Sequence, residues 1–430
     1  SDPYNGIKAN ALAQKLTLNS IKIDTIRFKL FSDSTRINYF AQVQNNKKNP
    51  QYTFNALLNG YIRGNEMSIG AKMFDAKNKL GVQLSALAEM RANSFNAKLI
   101  GDSTIIGYEL FKVNENNYVY LSKSGRVYGD VSLLSDKGTG IHFYTNDNEP
   151  SFQQDMTIGL QKFDMEPILA TIPYLPKMKG IFSGDVHITQ KNNEFAMSSA
   201  VNVENMEYEN NPMGNLSTEL VYIPLSDGSH TMSGQLMKDG AEVATVEGTF
   251  NPNKKDALDV RMVLNHTPMD MVNGFIPDKL MGLKGYADGE IGIKGTSEKP
   301  IVNGEVFLDS AYLVSVPYGI ELKMDDDPVR IVNSRLLLEN FNLYSHNDEP
   351  LLCYGYFDFS NLDRMTMDVQ LRANNYLLID AQENSHSTTF AKACVNFVGR
   401  VSGALEGIKM RGKLDVMGST KMTYVMLDSP

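Results

Sequence analysis

The sequence predicts an all-β chain. The expected architecture is an elongated, strongly curved, mostly antiparallel sheet, a U-shaped trough or β-taco with a few short helices. Three observations point there: apolar residues recur with a period of two, turn signals interrupt them about every ten residues, and a block of about 107 residues repeats.

The alternation is plainest in four segments. Met365, Met367, Val369 and Leu371 alternate with Thr366, Asp368, Gln370 and Arg372. Leu258, Val260, Met262 and Leu264 alternate with Asp259, Arg261 and Val263. Met410, Leu414 and Val416 share a parity with Gly412, while Lys409, Arg411, Lys413 and Asp415 fill the other. Phe195, Met197, Val201 and Val203 alternate with small or polar residues. Successive strand side chains point to opposite faces, so each segment has one apolar and one wet face. Antiparallel sheets with one side in water carry that pattern, and buried parallel sheets do not.

In chain order, residues 17–31 and 52–63 read as strands. Turns are expected at Asn59-Gly60, Asp227-Gly228, Asp239-Gly240, Asn303-Gly304 and Asp325–Pro328. Two short helices are expected, one near 165–174 and one near 267–275. Each has a proline close to its first turn, where a missing N–H costs nothing, and each is stopped by Ile-Pro.

Those helices belong to the repeat. Residues 160–188 parallel 264–293, with Gly180 and Gly184 falling on Gly285 and Gly289. Residues 289–315 parallel 400–425, with Gly295 on Gly403 and Gly304 on Gly412. A period of this length is too long for a solenoid rung and fits a block of several strands. Recurring glycines suit points where a sheet bends or closes up.

Composition narrows the function classes. The 430 residues are 42% hydrophobic and 21% charged, which are the proportions of a folded protein and not of a disordered one. By length they make about three ordinary domains or one long repetitive one. A net charge of −9 with no basic block argues against nucleic acid. No apolar stretch is long enough for a transmembrane helix. The opening residues lack the pattern of a signal peptide. Walker, dinucleotide, nucleophile-elbow, zincin and Cys-x-x-Cys motifs are all missing, so no enzyme, cofactor or metal is expected. The six histidines, at 142, 187, 230, 266, 346 and 386, are scattered. Asp325–Asp327, and the turns at 146–150 and 346–350, have ligands for calcium but also the composition of ordinary turns, which is the expectation. Cys353 and Cys394 read as packed thiols or as one bridge.

The element at 285–308, GYADGEIGIKGTSEKPIVNGEVFL, resembles a recurring element of TamB proteins, and 399–430 resembles a second copy that has Ala404 and lacks the proline. With FSNLDRMTMDVQLRANNYLLIDA at 359–381, the chain looks closest to the TamB-like proteins of Bacteroidetes. The match covers about 156–430, and residues 1–155 follow by continuity.

The resemblance implies a periplasmic bridge whose apolar groove carries phospholipid acyl chains between inner and outer membrane and supports outer-membrane biogenesis. It also implies an outer-membrane barrel partner of the TamA/BamA type and an inner-membrane anchor helix that this stretch does not include. The start at Ser1-Asp2-Pro3 is accordingly expected to be arbitrary. The repeat divides the chain into 1–155, 156–258, 259–366 and 367–430.

Parity counting assigns the groove lining to Phe195, Met197 and Val201; to Leu258, Val260, Met262 and Leu264; to Ile291, Ile293, Val306 and Leu308; and to Met365, Met367, Val369, Leu371, Leu414 and Val416. Val369→Asp or Leu308→Asp is expected to block lipid passage and leave folding largely intact. The abundance of Met, 22 residues, suits a surface that adapts to many chain conformations. Two other readings compete: a ligand-free structural or adhesin β-solenoid, which needs short rungs, and a carbohydrate-active β-sandwich, for which the absence of Trp is unfavourable.

Overall fold

The computed structural model describes residues 6–18, 21–91, 94–146, 151–251, 253–254, 257–276, 281–296, 298–315, 320–381 and 389–424. Strand makes up 72% of the chain and helix 5%, so the fold is all-β. The chain divides into two compact units. The N-terminal unit is 1–224 with 238–240, and the C-terminal unit is 225–237 with 241–430.

Each unit is an antiparallel meander. In the N-terminal unit, strands from Lys8–Leu18 to Asn211–Pro224 pair largely in sequence order. One departure breaks the series. The short strands Thr104–Ile106 and Glu109–Val113 pair between Leu80–Arg91 and Val127–Ser135, beside the non-consecutive pair Ser94–Leu99 and Tyr118–Leu121. In the C-terminal unit, the series runs from Ala241–Phe250 to Lys409–Val416. Ile320–Met324 and Val329–Val332 together bridge Pro300–Ser315 to Arg335–Tyr344.

A recurring bulge bends the strands. Leu160 and Phe163 oppose Gly184 and Phe182, so one strand carries an extra residue. The same step recurs where Leu264 and Thr267 oppose Gly289 and Ala287, and where Leu338 and Phe341 oppose Gly355 and Cys353. The bulged residues Lys162, His266 and Asn340 all take positive φ, at 46°, 46° and 59°. Such bulges raise local twist and bend the strand. Lys162 and His266 lie at equivalent places in the sequence repeat, so the repeat carries a backbone device as well as a pattern of side chains.

Gly184 and Gly289, opposite the first two bulges, share φ of +146°, and a Cβ there would come within 2.1 Å of Ala200 O and 2.2 Å of Glu305 O. Only glycine allows that approach. Gly289→Ala is therefore expected to destabilise the C-terminal unit by about 2–3 kcal/mol, from backbone strain and steric overlap. Gly292→Ala, in the same strand with its nearest neighbour 3.7 Å away, provides the control. Urea titration of the pair checks the difference.

Two expected turns are strand interiors. Asn59-Gly60 lies within Phe54–Arg63, and Asn303-Gly304 lies within Pro300–Ser315. The glycines serve close approach instead. A Cβ on Gly60 would strike Ser68 O at 1.9 Å and Tyr39 Oη at 2.5 Å, and one on Gly304 would strike Glu290 O at 2.4 Å. Asp227-Gly228 and Asp239-Gly240 do form turns.

The first expected helix is present as α1, Met165–Thr171. Asp164 caps it by accepting a hydrogen bond from Glu166 N at 3.1 Å, and Ile172 ends it in an extended conformation. The second expected helix is a 3-10 segment, Met269–Phe275, and Thr267-Pro268 belongs to the preceding strand. Pro268 stands at the cap with no side-chain hydrogen bond. The Asn273 side chain also leaves the segment to bond the backbone of Leu283. An uncapped, Asn- and Gly-containing turn favours the shorter ladder.

The chain after α1 measures the curl of the N-terminal unit. Tyr174 Oη donates to Lys22 O at 2.9 Å and accepts from Asn45 Nδ2 at 2.8 Å. Between the strand ending at Asn45 and the strand leading into α1 lie eight pairing steps, about 38 Å in a flat sheet at about 4.8 Å each. Seven helical residues and three extended ones reach only about 21 Å. The sheet of this unit must therefore curl for the contact to exist.

Candidate functional site

Register decides which side chains share a face, because directly paired residues point the same way. In the C-terminal unit, Leu258, Val260, Met262 and Leu264 oppose Gly295, Ile293, Ile291 and Gly289. Those in turn oppose Pro300, Val302, Gly304 and Val306, and Ala287 opposes Leu308. Val306 opposes Val329, and the same face continues through Leu336 and Phe357 to Met367. Val369 opposes Val401, Leu371 opposes Gly399, and Phe397 and Val395 then meet Leu414 and Val416. Every lining residue named from the sequence between 258 and 416 thus falls on one face, apart from Met365. Met365 precedes its strand, Thr366–Ala381, and lies outside the ladder.

Phe195, Met197 and Val201 share a face in the N-terminal unit. They oppose Gln190, Ile188 and Gly184 on one side, and Met197 and Val201 oppose Tyr222 and Thr218 on the other. Phe195 also packs its ring near Tyr222, with centroids 6.1 Å apart.

Part of the apolar face in the C-terminal unit is filled by the protein itself. Val329, Phe341, Leu343, Cys353, Val369, Ala373, Tyr376 and Val395 form a buried cluster, with Leu308, Met367 and Leu371 packed against it. Val369 is 3% exposed. This corrects the expectation for Val369→Asp and Leu308→Asp: Val369 is a core position and Leu308 packs, partly buried, against the same cluster, so a carboxylate at either is expected to disturb folding. Val260 is also buried, while Leu258, Met262, Leu264, Ile291, Ile293 and Val306 are partly exposed. Leu414 and Val416 stand 49% and 62% exposed near the last strands described.

The opposite face carries self-paired charges, with exposed Phe307, Tyr354 and Val398 among them. Lys294 meets Asp259 at 3.2 Å, Arg261 meets Glu290 at 2.6 Å, and Arg335 meets Asp358 at 2.7 Å. Arg330 pairs with Glu339, and Arg400 with Asp368. The Arg400 hydrogen bonds hold the Asp368 carboxyl below its ordinary range, and Arg261 does the same for Glu290. Exposed pairs of this kind contribute little to stability, because water screens them. Their effect is to keep this side wet and make the sheet two-sided.

In the N-terminal unit, α1 lies on the apolar face. Met165 and Ile168 pack against the buried Phe111, Leu133 and Phe163. Thr171, 2% exposed, sits so close to the strand Leu80–Arg91 that a Cβ on Gly81 would lie 2.5 Å from it. The Tyr174 ring meets Tyr52 edge-on at 4.9 Å and Phe54 at 6.3 Å. Sequence reasoning placed a helix here but missed this anchor, which joins residues 129 and 152 positions apart.

The remaining candidates have local explanations. Cys353 and Cys394 are buried free thiols, and burial pushes Cys353 up to about 12. His187 Nε2 bonds Asp155 at 2.8 Å, His142 Nδ1 meets Ser132 Oγ at 3.1 Å, and His266 stacks on Tyr286. The Asp325 backbone N–H donates to Asn342 O, and its carboxylate accepts from Asn342 Nδ2. Residues 147–150 and His386 lie outside the described residues. Among the described residues, no group of three His, Cys, Asp or Glu side chains is placed to hold a metal ion.

No family model, no curated protein and no solved structure matches this chain.

Proposed function

We propose that this chain is a non-enzymatic lipid conduit of the TamB type. In this reading it is a stretch of a periplasmic bridge whose apolar groove carries phospholipid acyl chains between inner and outer membrane. The observation that carries the proposal is the shared face of the C-terminal unit. Apolar positions from Leu258 to Val416 keep one side through successive pairings, and the other side is lined with ion pairs. Where the apolar side is not filled by the protein's own cluster, around residues 258–293 and at Leu414 and Val416, a water-soluble sheet gains little from it unless something apolar covers it. An acyl chain does so without directional contacts, each methylene contributing about 0.8 kcal/mol, and it slides because no contact is unique.

The proposal extends to an anchor in the inner membrane, an outer-membrane barrel partner of the TamA/BamA type and a role in outer-membrane biogenesis. These rest on the resemblance of 285–308 and 399–430. The test is native mass spectrometry of the chain purified from a Gram-negative envelope, with lipid extraction in parallel. Phospholipid in stoichiometric amounts is expected. A chain that remains lipid-free after incubation with phospholipid vesicles would overturn the reading.

A further inference from the structure

In the N-terminal unit, α1 packs on the apolar face and the residues that follow it are pinned by Tyr174. Beneath residues 165–179 lies a cavity of about 280 Å³, lined by Tyr52, Phe54, Leu169, Ile172, Pro173 and Leu175. The cavity opens to solvent. Its lining is mostly aliphatic and aromatic, with Asp75, Glu166, Lys177 and Lys179 as its charged members. At a volume just under the usual range for drug-sized ligands, the space suits one chain and not a whole lipid.

Resting on the lipid-conduit reading, we propose that α1 and residues 172–176 form a latched side lid, through which a phospholipid tail passes onto the apolar face of this unit. Three features support a lid. A helix of seven residues does not hold its shape alone, so α1 stays formed only while it is docked. Beyond its buried last residue, Thr171, the following stretch is pinned by Tyr174 through two hydrogen bonds and two ring contacts. Its near end is tied by Lys179, which reaches Glu166 on α1 at 3.7 Å and Glu207 on a neighbouring strand at 3.1 Å. A lipid phosphate arriving at the margin competes with Glu166 for Lys179. That competition loosens α1 as the tail reaches the cavity, so one molecule supplies both the signal and the cargo.

The test uses the whole chain with a pyrene-labelled phosphatidylglycerol in vesicles. Tyr174→Phe keeps the ring and removes both hydrogen bonds. It is expected to speed amide exchange over 165–176, and uptake of the probe, by about 10-fold. Lys179→Met removes the tie to Glu166 and Glu207 and is expected to act in the same direction. Uptake that ignores Tyr174→Phe and Lys179→Met while exchange over 165–176 rises would overturn the lid. Uptake missing from the native chain and every variant, with exchange still faster in Tyr174→Phe, would instead overturn the lipid reading on which the lid rests.

Discussion

Val369→Asp is expected to unfold much of the C-terminal unit. Val369 is 3% exposed and belongs to the cluster built from Phe341, Cys353, Tyr376 and Val395. Losing its apolar burial costs about 2 kcal/mol, and leaving a carboxyl among these groups without a partner costs about 2 more. About 4 kcal/mol is a large part of the stability of an ordinary domain. The carboxyl has no cheap way out, since its neighbours across the pairing are Gly355 and Val401. Gln370→Asp is the matched control. It lies one residue along, exposed, and opposite Arg400, so a change within about 0.5 kcal/mol is expected. Hydrogen exchange across strands Leu351–Asp358, Thr366–Ala381 and Thr389–Ala404 reads the difference. Equal protection in the two variants would show that the cluster is not a core.

Ile291→Asp is expected to do the opposite, sparing the fold and stopping transport. Ile291 shares its face with Met262 and Gly304 but lies outside the buried cluster and keeps contact with solvent. A carboxylate there stays hydrated when the groove is empty, so the folding cost is expected to stay near about 1 kcal/mol. When a tail must pass, the same carboxylate loses its water to hydrocarbon, which costs several kcal/mol. Lipid transfer between vesicles is therefore expected to fall by at least about 10-fold. Glu305→Gln, on the charged face of the directly paired strand, is expected to leave transfer unchanged. Normal transfer by Ile291→Asp, with an intact strand spectrum, would remove this face from the path.

Together the two substitutions separate two uses of one surface. From Pro300–Ser315 to Thr389–Ala404, apolar side chains meet each other and the face becomes a core. Before that, from Leu258–Pro268 to Gly282–Gly295, the same parity of residues keeps partial exposure, apart from Val260 and Ala287. Packing in three dimensions, and not the composition, decides which use a residue has. Val369 and Ile291 are indistinguishable by pattern alone: each is a β-branched residue in an alternating strand.

Much of the fold was legible because alternation is a local property. Met367, Val369 and Leu371 need only their own strand to declare a face, and the same holds for Leu258–Leu264. The parity survived across the sheet for a specific reason. The bulges at His266, Ser310, Asn340 and Asn375 lie outside the runs that were counted, so no counted run is inverted. Those bulges were not legible, because Lys162 and His266 are ordinary residues that nothing in their own segments marks for a positive φ. Asn59-Gly60 and Asn303-Gly304 misled for the same reason. A glycine that serves a turn and one that serves a close strand crossing look alike until the partner strand is known.

The sequence by itself determined the class of fold, the two-sidedness of the sheet and the membership of its apolar face, since all three follow from the two-residue period of an extended chain. Tertiary structure alone decided where that face is filled and where it stays partly open. It also decided that Tyr174 reaches Lys22 and Asn45 across the curl. Both outcomes depend on how far the sheet bends, and the bend is set by paired bulges and glycines whose effect exists only when two distant strands meet.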